Sequence, residues 1–253
     1  MTCYAKISLL AALAFVLTAC GGDGEDLAQS LNIAAPQARF VNAAPASPEL
    51  TLYRKGQAQS AAGTQGYQGA SKYYDTVDVT SDWAVRDAGT GAELGTTTMR
   101  VENSTRYTLV VLPGSGPQFN LLQISDPYDK ALGSDEARVR LVNADAGTGP
   151  VDVYIAAAGA DISGLTPTMA SVASQASSPA SGSNSISVAA GTYQVQLAAA
   201  GSKTIFFSGS LEIGKDDDVL LVTLPEGDGG GTRILDIPAG SAQSNAEILN
   251  SLR

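Results

Sequence analysis

Arg39-Phe40-Val41-Asn42-Ala43 returns 101 positions later as Arg140-Leu141-Val142-Asn143-Ala144. The same displacement carries Leu50-Thr51-Leu52-Tyr53 onto Val151-Asp152-Val153-Tyr154. Farther along, Tyr107-Thr108-Leu109-Val110-Val111-Leu112-Pro113 matches Val219-Leu220-Leu221-Val222-Thr223-Leu224-Pro225 at a displacement of 112. The chain therefore contains one unit twice. Tyr53 to Pro113 spans 60 positions and Tyr154 to Pro225 spans 71, so the second copy carries an insertion. The Ser/Ala-rich stretch 163–185 is its expected place, and its composition predicts a mobile loop.

The unit reads as all-β. Gly191-Thr192-Tyr193-Gln194-Val195-Gln196-Leu197 alternates strictly, placing Tyr193, Val195 and Leu197 on one face and both glutamines on the other. In the first copy, short runs at 38–43, 50–54, 72–79, 82–86, 96–101, 106–112 and 119–124 are separated by Gly, Pro, Asn and Asp. Seven such strands in about 90 residues indicate a β-sandwich of immunoglobulin-like or transthyretin-like kind. Sandwich domains are expected over 38–126 and 137–240, with a polar linker at 127–136. Residues 241–253 form a tail, read as a short helix or a frayed end. Trp83, the only tryptophan, is aligned with Tyr193 and read as core.

With the repeat in view, a resemblance follows. The opening Arg-x-Val-Asn-Ala, Pro150-Val151-Asp152-Val153-Tyr154 and Val188-Ala189-Ala190-Gly191-Thr192-Tyr193-Gln194-Val195 resemble the domain-of-unknown-function family 4397. The resemblance implies tandem β-sandwich modules of bacterial secreted proteins and lipoproteins. It implies no activity.

The start of the chain gives an address. Lys6 precedes an apolar run at 7–17 interrupted only by Ser8, and the run ends in Leu17-Thr18-Ala19-Cys20. A spanning helix needs about 20 apolar residues, so this is read as a secretory leader over 1–19. Cys20 stands where lipoprotein processing attaches lipid. Residues 20–37 are polar and unpatterned and read as a flexible tether. Gly21 after the cysteine resembles the outer-membrane sorting pattern, so the expected location is the bacterial cell envelope, lipid-anchored at the outer membrane.

Composition narrows the chemistry. The chain has 15 basic and 25 acidic side chains and no histidine. Loss of the leader removes Lys6, leaving a formal charge of −11, a field that disfavours nucleic acid as partner. Without histidine there is no Ser-His-Asp triad and no His-ligated zinc. Cys3 goes with the leader and Cys20 takes lipid, so no thiol remains for catalysis. No cofactor is expected.

Four groups are candidate sites. Tyr67, Tyr73 and Tyr74, among Gln65, Gln68, Gly69 and Ser71, have the composition of an adaptable binding patch for a protein or sugar. Asp216-Asp217-Asp218 offers calcium oxygens, as do Asp75, Asp78 and Asp82, but neither set has the spaced loop of a strong calcium motif. Arg39 and Arg140 are equivalent and read as structural partners of a carboxylate. The expected function is a non-enzymatic binding or structural module on a lipid anchor, with an envelope protein or glycan as partner. A carboxylate-based glycosidase and a calcium-dependent adhesion module are the alternatives.

Overall fold

The computed structural model describes residues 31, 34–127, 135–226, 230–239 and 245–252. The leader, Cys20, most of the tether and residues 128–134 of the linker lie outside the described residues. The first copy contributes β1 (Gln37–Asn42), β2 (Leu50–Arg54), β3 (Gln57–Ala58), β4 (Thr64–Gln65), β5 (Tyr74–Asp75), β6 (Thr80–Asp87), β7 (Glu93–Arg100), β8 (Arg106–Leu112) and β9 (Asn120–Asp126). The second contributes β10 (Glu136–Asn143), β11 (Val151–Ala156), β12 (Met169–Val172), β13 (Ala176–Ser178), β14 (Ile186–Ala189), β15 (Gly191–Ala199), β16 (Ile205–Ile213), β17 (Asp218–Glu226), β18 (Gly231–Pro238) and β19 (Ala246–Ile248).

Each copy is a two-sheet sandwich. In the first, the sheet β5-β1-β8-β9 packs on the sheet β2-β6-β7, whose outer edge carries β3 and β4. In the second, β10-β17-β18-β19, edged by β13 and β14, packs on β12-β11-β15-β16. Alternation of side chains along each strand fills the space between the sheets. Phe40, Leu52, Trp83, Val85 and Leu109 form the first core, and Leu141, Val153, Leu197, Phe207 and Leu221 the second. The two lead strands pair in parallel with their closing strands, β1 with β8 and β10 with β17, in the same relative register.

The sandwiches do not stand apart. A third apolar cluster joins them, built from Val41, Ala43, Val110, Leu112 and Ile124 of the first and Val142, Ala144, Leu220, Val222, Leu224, Leu235 and Ile237 of the second. These are the other faces of β1, β8 and β9 and of β10, β17 and β18. The inner sheets therefore pack back to back and four sheets stack in series. The pairs Val41/Val142, Ala43/Ala144, Val110/Val222 and Leu112/Leu224 are repeat equivalents, so the seam has the isologous character of a twofold dimer. Arg106 meets Asp218 at 3.2 Å across the seam, and these two also occupy equivalent positions. Identical copies would set like charges against each other there; the divergence of one copy to Arg and the other to Asp turns repulsion into a pair.

Strand register locates the insertion. Leu50↔Gln65 and Val151↔Val172 are equivalent pairs, as are Val41↔Ala70 and Val142↔Ser177. The displacement has thus grown from 101 to 107. Ala38↔Tyr74 and Val139↔Ile186 raise it to 112. Six extra residues enter after β11 and five between β13 and β14. The expected single mobile loop at 163–185 is instead two short additions, both ordered. The first arches over the outer sheet. The second lies along the edge of β9, where Gly182 N–H donates to Ser125 O (2.8 Å) and Ser125 N–H donates to Ser181 Oγ (2.9 Å).

Two further expectations are corrected. Trp83 is fully buried, but its counterpart is Val195, because Arg54↔Trp83 matches Ile155↔Val195; Tyr193 corresponds to Ser81. The tail expected to be helical instead places β19 against β18, with Ile248 in the second core. Tertiary packing overrides weak helix propensity here. The seat requires Gly209, since a Cβ there would lie 2.4 Å from Ile248 Cγ2 and 3.0 Å from the Leu249 carbonyl.

One buried group opposes the fold at neutral pH. Asp236 on β18 has a buried Oδ1 with no hydrogen-bond partner among the described residues. Burial, reinforced by the charge of Asp217, raises its pKa from 3.8 to about 6. The folded chain then keeps a proton that the unfolded chain releases, so stability falls as pH rises from about 4 to about 6 and stays lower above. Asp236→Asn is expected to add about 1–2 kcal/mol at pH 7.5, less than full conversion of the shift because the side chain is partly exposed. The gain should vanish near pH 4. Thermal unfolding of both proteins across that range checks it; a gain independent of pH contradicts the assignment.

Candidate functional site

The three tyrosines of the expected patch are not gathered. Tyr73 and Tyr74 are adjacent on an extended segment, so their rings point to opposite faces. Tyr74 packs on the first core with its hydroxyl buried, and burial raises its pKa. Tyr73 turns to the seam, where its hydroxyl bonds Thr108 Oγ1 (3.1 Å) and the Arg39 and Arg106 guanidinium carbons lie 4.6 and 5.1 Å from its ring centroid. Desolvation raises its pKa as well. Tyr67 packs on the seam cluster. All three serve packing.

The aspartates are also divided among tasks. Asp216 takes a positive φ in the β16–β17 turn, Asp217 accepts from Gly214 N–H (2.6 Å), and Asp218 pairs with Arg106. Asp75 accepts from Gln37 Nε2, Asp78 pairs with Arg100, and Asp82 accepts from Thr98 Oγ1 (2.6 Å). Among the described residues no group of three or more acidic side chains is placed to hold a metal ion.

Arg39 and Arg140 work as seam residues. Arg39 donates to Thr108 Oγ1 (3.0 Å) and, across the seam, to the Ile237 carbonyl (3.4 Å). Arg140 donates across the seam to Asp126 Oδ2 (3.3 Å) and, within its own copy, to the carbonyls of Pro179, Ala180 and Ser183. Each arginine reaches the strand next to the closing strand in the other sandwich, Arg39 to β18 and Arg140 to β9. The equivalent Asn42 and Asn143, both fully buried, tie the loop after the lead strand to the edge strand of the outer sheet, β4 or β12: Asn42 Nδ2 donates to Ser47 Oγ and Gln65 O, Asn143 Nδ2 to Gly149 O and Val172 O. The repeated Arg-x-Val-Asn-Ala thus encodes a docking arginine and a loop staple.

A difference between the copies appears on their outer sheets. In the second, Tyr154 and Ala198 on the outer face, with Ile205 opposite, carry Ile162 of the six-residue addition, and Tyr154 is only 1% exposed. Lys203 Nζ donates to the Tyr154 hydroxyl (3.0 Å) and to Leu165 O, while Gly159 N–H donates to Gln194 Oε1 (3.0 Å). That face is closed by its own chain. In the first, the chain turns back at once through Lys55-Gly56, both at positive φ, and among the described residues nothing arches over the sheet. The bulge after Val85 matches the bulge after Leu197, so the footing Tyr154/Ala198/Ile205 becomes Tyr53/Arg86/Glu93.

The open face holds a groove of about 380 Å³ lined by Gly56, Asp82, Trp83, Ala84, Arg86, Glu93 and the threonines 96–98. Arg86 lies 4.6 Å from the centroid of Tyr53 and pairs with Glu93 at 3.3 Å; its buried Nε has no acceptor among the described residues. Ala84 forms part of the floor, where the second copy has Gln196. The two groove carboxylates are held apart in role, Asp82 by Thr98 and Glu93 by Arg86. Chemically the surface offers hydroxyls, carboxylates and one guanidinium, which suits hydrogen-bonded recognition. The repeat alone could have pointed to it, since Ala198 and Ile205 align with charged residues.

No curated protein matches this chain. The family model described as "Domain of unknown function (DUF4397)" matches residues 36–154, from the residue before β1 through most of β11, and this stretch of the chain supports the resemblance to that family.

Proposed function

We propose that this protein is a bacterial cell-envelope lipoprotein that presents a rigid pair of β-sandwiches as a non-enzymatic binding module. The observation that carries the binding role is the asymmetry of the outer sheets: one copy closes its face with its own chain and the other leaves a polar groove open. The apolar seam supports rigidity, because a packed interface holds the groove at a fixed orientation. Leu17-Thr18-Ala19-Cys20, following the apolar run at 7–17, supports anchoring through lipid on Cys20. One acyl chain binds a bilayer marginally, so durable anchoring needs at least two chains on that residue. Gly21 favours the outer membrane.

The test is fractionation with Cys20→Ser. The wild-type protein is expected in the membrane pellet with an N-terminal mass that includes lipid, and the variant in the soluble extract. An unmodified wild-type protein that still pellets contradicts the anchor. For the binding role, wild-type protein on vesicles is used to capture partners from envelope extracts. Turnover of a substrate by the purified chain, with no envelope component retained, contradicts it.

A further inference from the structure

We propose that the open outer sheet of the first sandwich, centred on the groove between β6 and β7, binds an uncharged oligosaccharide. The inference rests on the binding-module reading above and names the site and ligand class. The second copy provides an internal comparison. There the same sheet face is occupied by polypeptide, and the footing of that contact is apolar: Ile162 sits on Tyr154, Ala198 and Ile205. In the first copy two of those three positions are charged, Arg86 and Glu93. A protein loop of the kind found in the second copy would bury both charges against apolar surface, which is costly. The substitutions remove the polypeptide occupant and its footing together.

What remains matches a ligand rich in hydroxyls. Asp82 and Glu93 accept hydrogen bonds, and Thr96 and Thr98 both donate and accept. Trp83 and Ala84 supply the apolar part of the lining, and the Tyr53 ring beneath the Arg86 guanidinium holds that group in place. The groove charge is two carboxylates against one guanidinium that pairs with one of them. On a chain of net charge −10 this disfavours an anionic ligand. The alanine at position 84 leaves floor space that a glutamine fills in the second copy.

The experiment is amide chemical-shift titration of the full chain carrying Cys20→Ser, using maltohexaose, cellohexaose and N-acetylchitohexaose as probes. At least one is expected to give saturable shifts confined to β6, β7 and the Lys55-Gly56 turn. Ala84→Gln, which alters no polar group of the groove, should weaken that binding at least tenfold. Asp82→Asn should do so as well, and Gln194→Ala on the second copy should not. Unperturbed spectra outside the face establish that the variants are folded. No saturable shift with any probe overturns the proposal, as does binding that survives both groove variants. Capture of an envelope protein that is insensitive to Ala84→Gln overturns this site but leaves the binding-module reading standing.

Discussion

Replacing Arg140 by alanine is expected to cost about 3–5 kcal/mol, the range for breaking a buried ion pair by removing one partner. For a chain of this size that lowers the melting temperature by on the order of 10 °C. Arg140 is 4% exposed and its partner Asp126 7%. Its guanidinium is the donor for three carbonyls of the addition between β13 and β14 as well as for Asp126. Without it, the buried Asp126 loses its guanidinium donor while keeping the Ser185 hydroxyl (2.5 Å). Asp126→Asn combined with Arg140→Met should therefore lose less than the sum of the single changes. Arg39→Ala should cost less than Arg140→Ala, because Arg39 leaves no carboxylate behind; its contacts are Thr108, the Ile237 carbonyl and the ring of Tyr73. Thermal denaturation of the five variants checks the ranking. Equal losses for Arg39→Ala and Arg140→Ala would falsify the charge argument.

How much of this was legible depends on which interactions are local. Strand positions were readable because half-buried strands alternate, as β15 does. The duplication was readable because the lead and closing strands keep their residues. The seam also left a mark. Val110, Val111 and Leu112 in β8 and Val219 to Val222 in β17 are consecutive apolar residues, and every one of them is buried. An alternating strand buries one face; a continuous run means that both faces are covered. The repeat alone predicts tandem sandwiches and says nothing of docking, whereas these runs require it. By contrast, the placement of the additions was not readable, since Ser and Ala residues have no periodicity. Their roles lie in backbone carbonyls offered to Arg140 and in one isoleucine laid on Tyr154. Nor could the grouping of Tyr67, Tyr73 and Tyr74 be judged from proximity in sequence, because neighbours on an extended chain face opposite ways. The groove lay within reach of the sequence, because the displacement of 112 already sets Arg86 against Ala198 and Glu93 against Ile205, and strand register bears that alignment out.

The same seam sets the second large effect. Val222 is fully buried at the centre of the cluster between the sandwiches, and Val222→Asp puts a carboxylate there with no cation to meet it. Burying an unpaired charge costs several kcal/mol or more, so the chain is expected to escape by separating the two sandwiches and hydrating the new side chain. The penalty is then capped at the free energy of docking. Each large apolar side chain at the seam contributes about 1.5–3 kcal/mol of burial, so that cap is itself several kcal/mol. Undocking also exposes the apolar outer faces of both inner sheets, a patch large enough to promote self-association. The wild-type protein should unfold in one calorimetric transition, because neither sandwich can melt without uncovering the other's seam. Val222→Asp should show two transitions, both below the wild-type temperature, and a larger radius of gyration in solution scattering. Val195→Asp, placed instead in the core of the second sandwich, should lose the second unit alone, so that the first still unfolds as a cooperative body. A single transition at the wild-type temperature for Val222→Asp would mean that the sandwiches are joined only by their linker. The fixed orientation proposed for the groove would then have no physical basis.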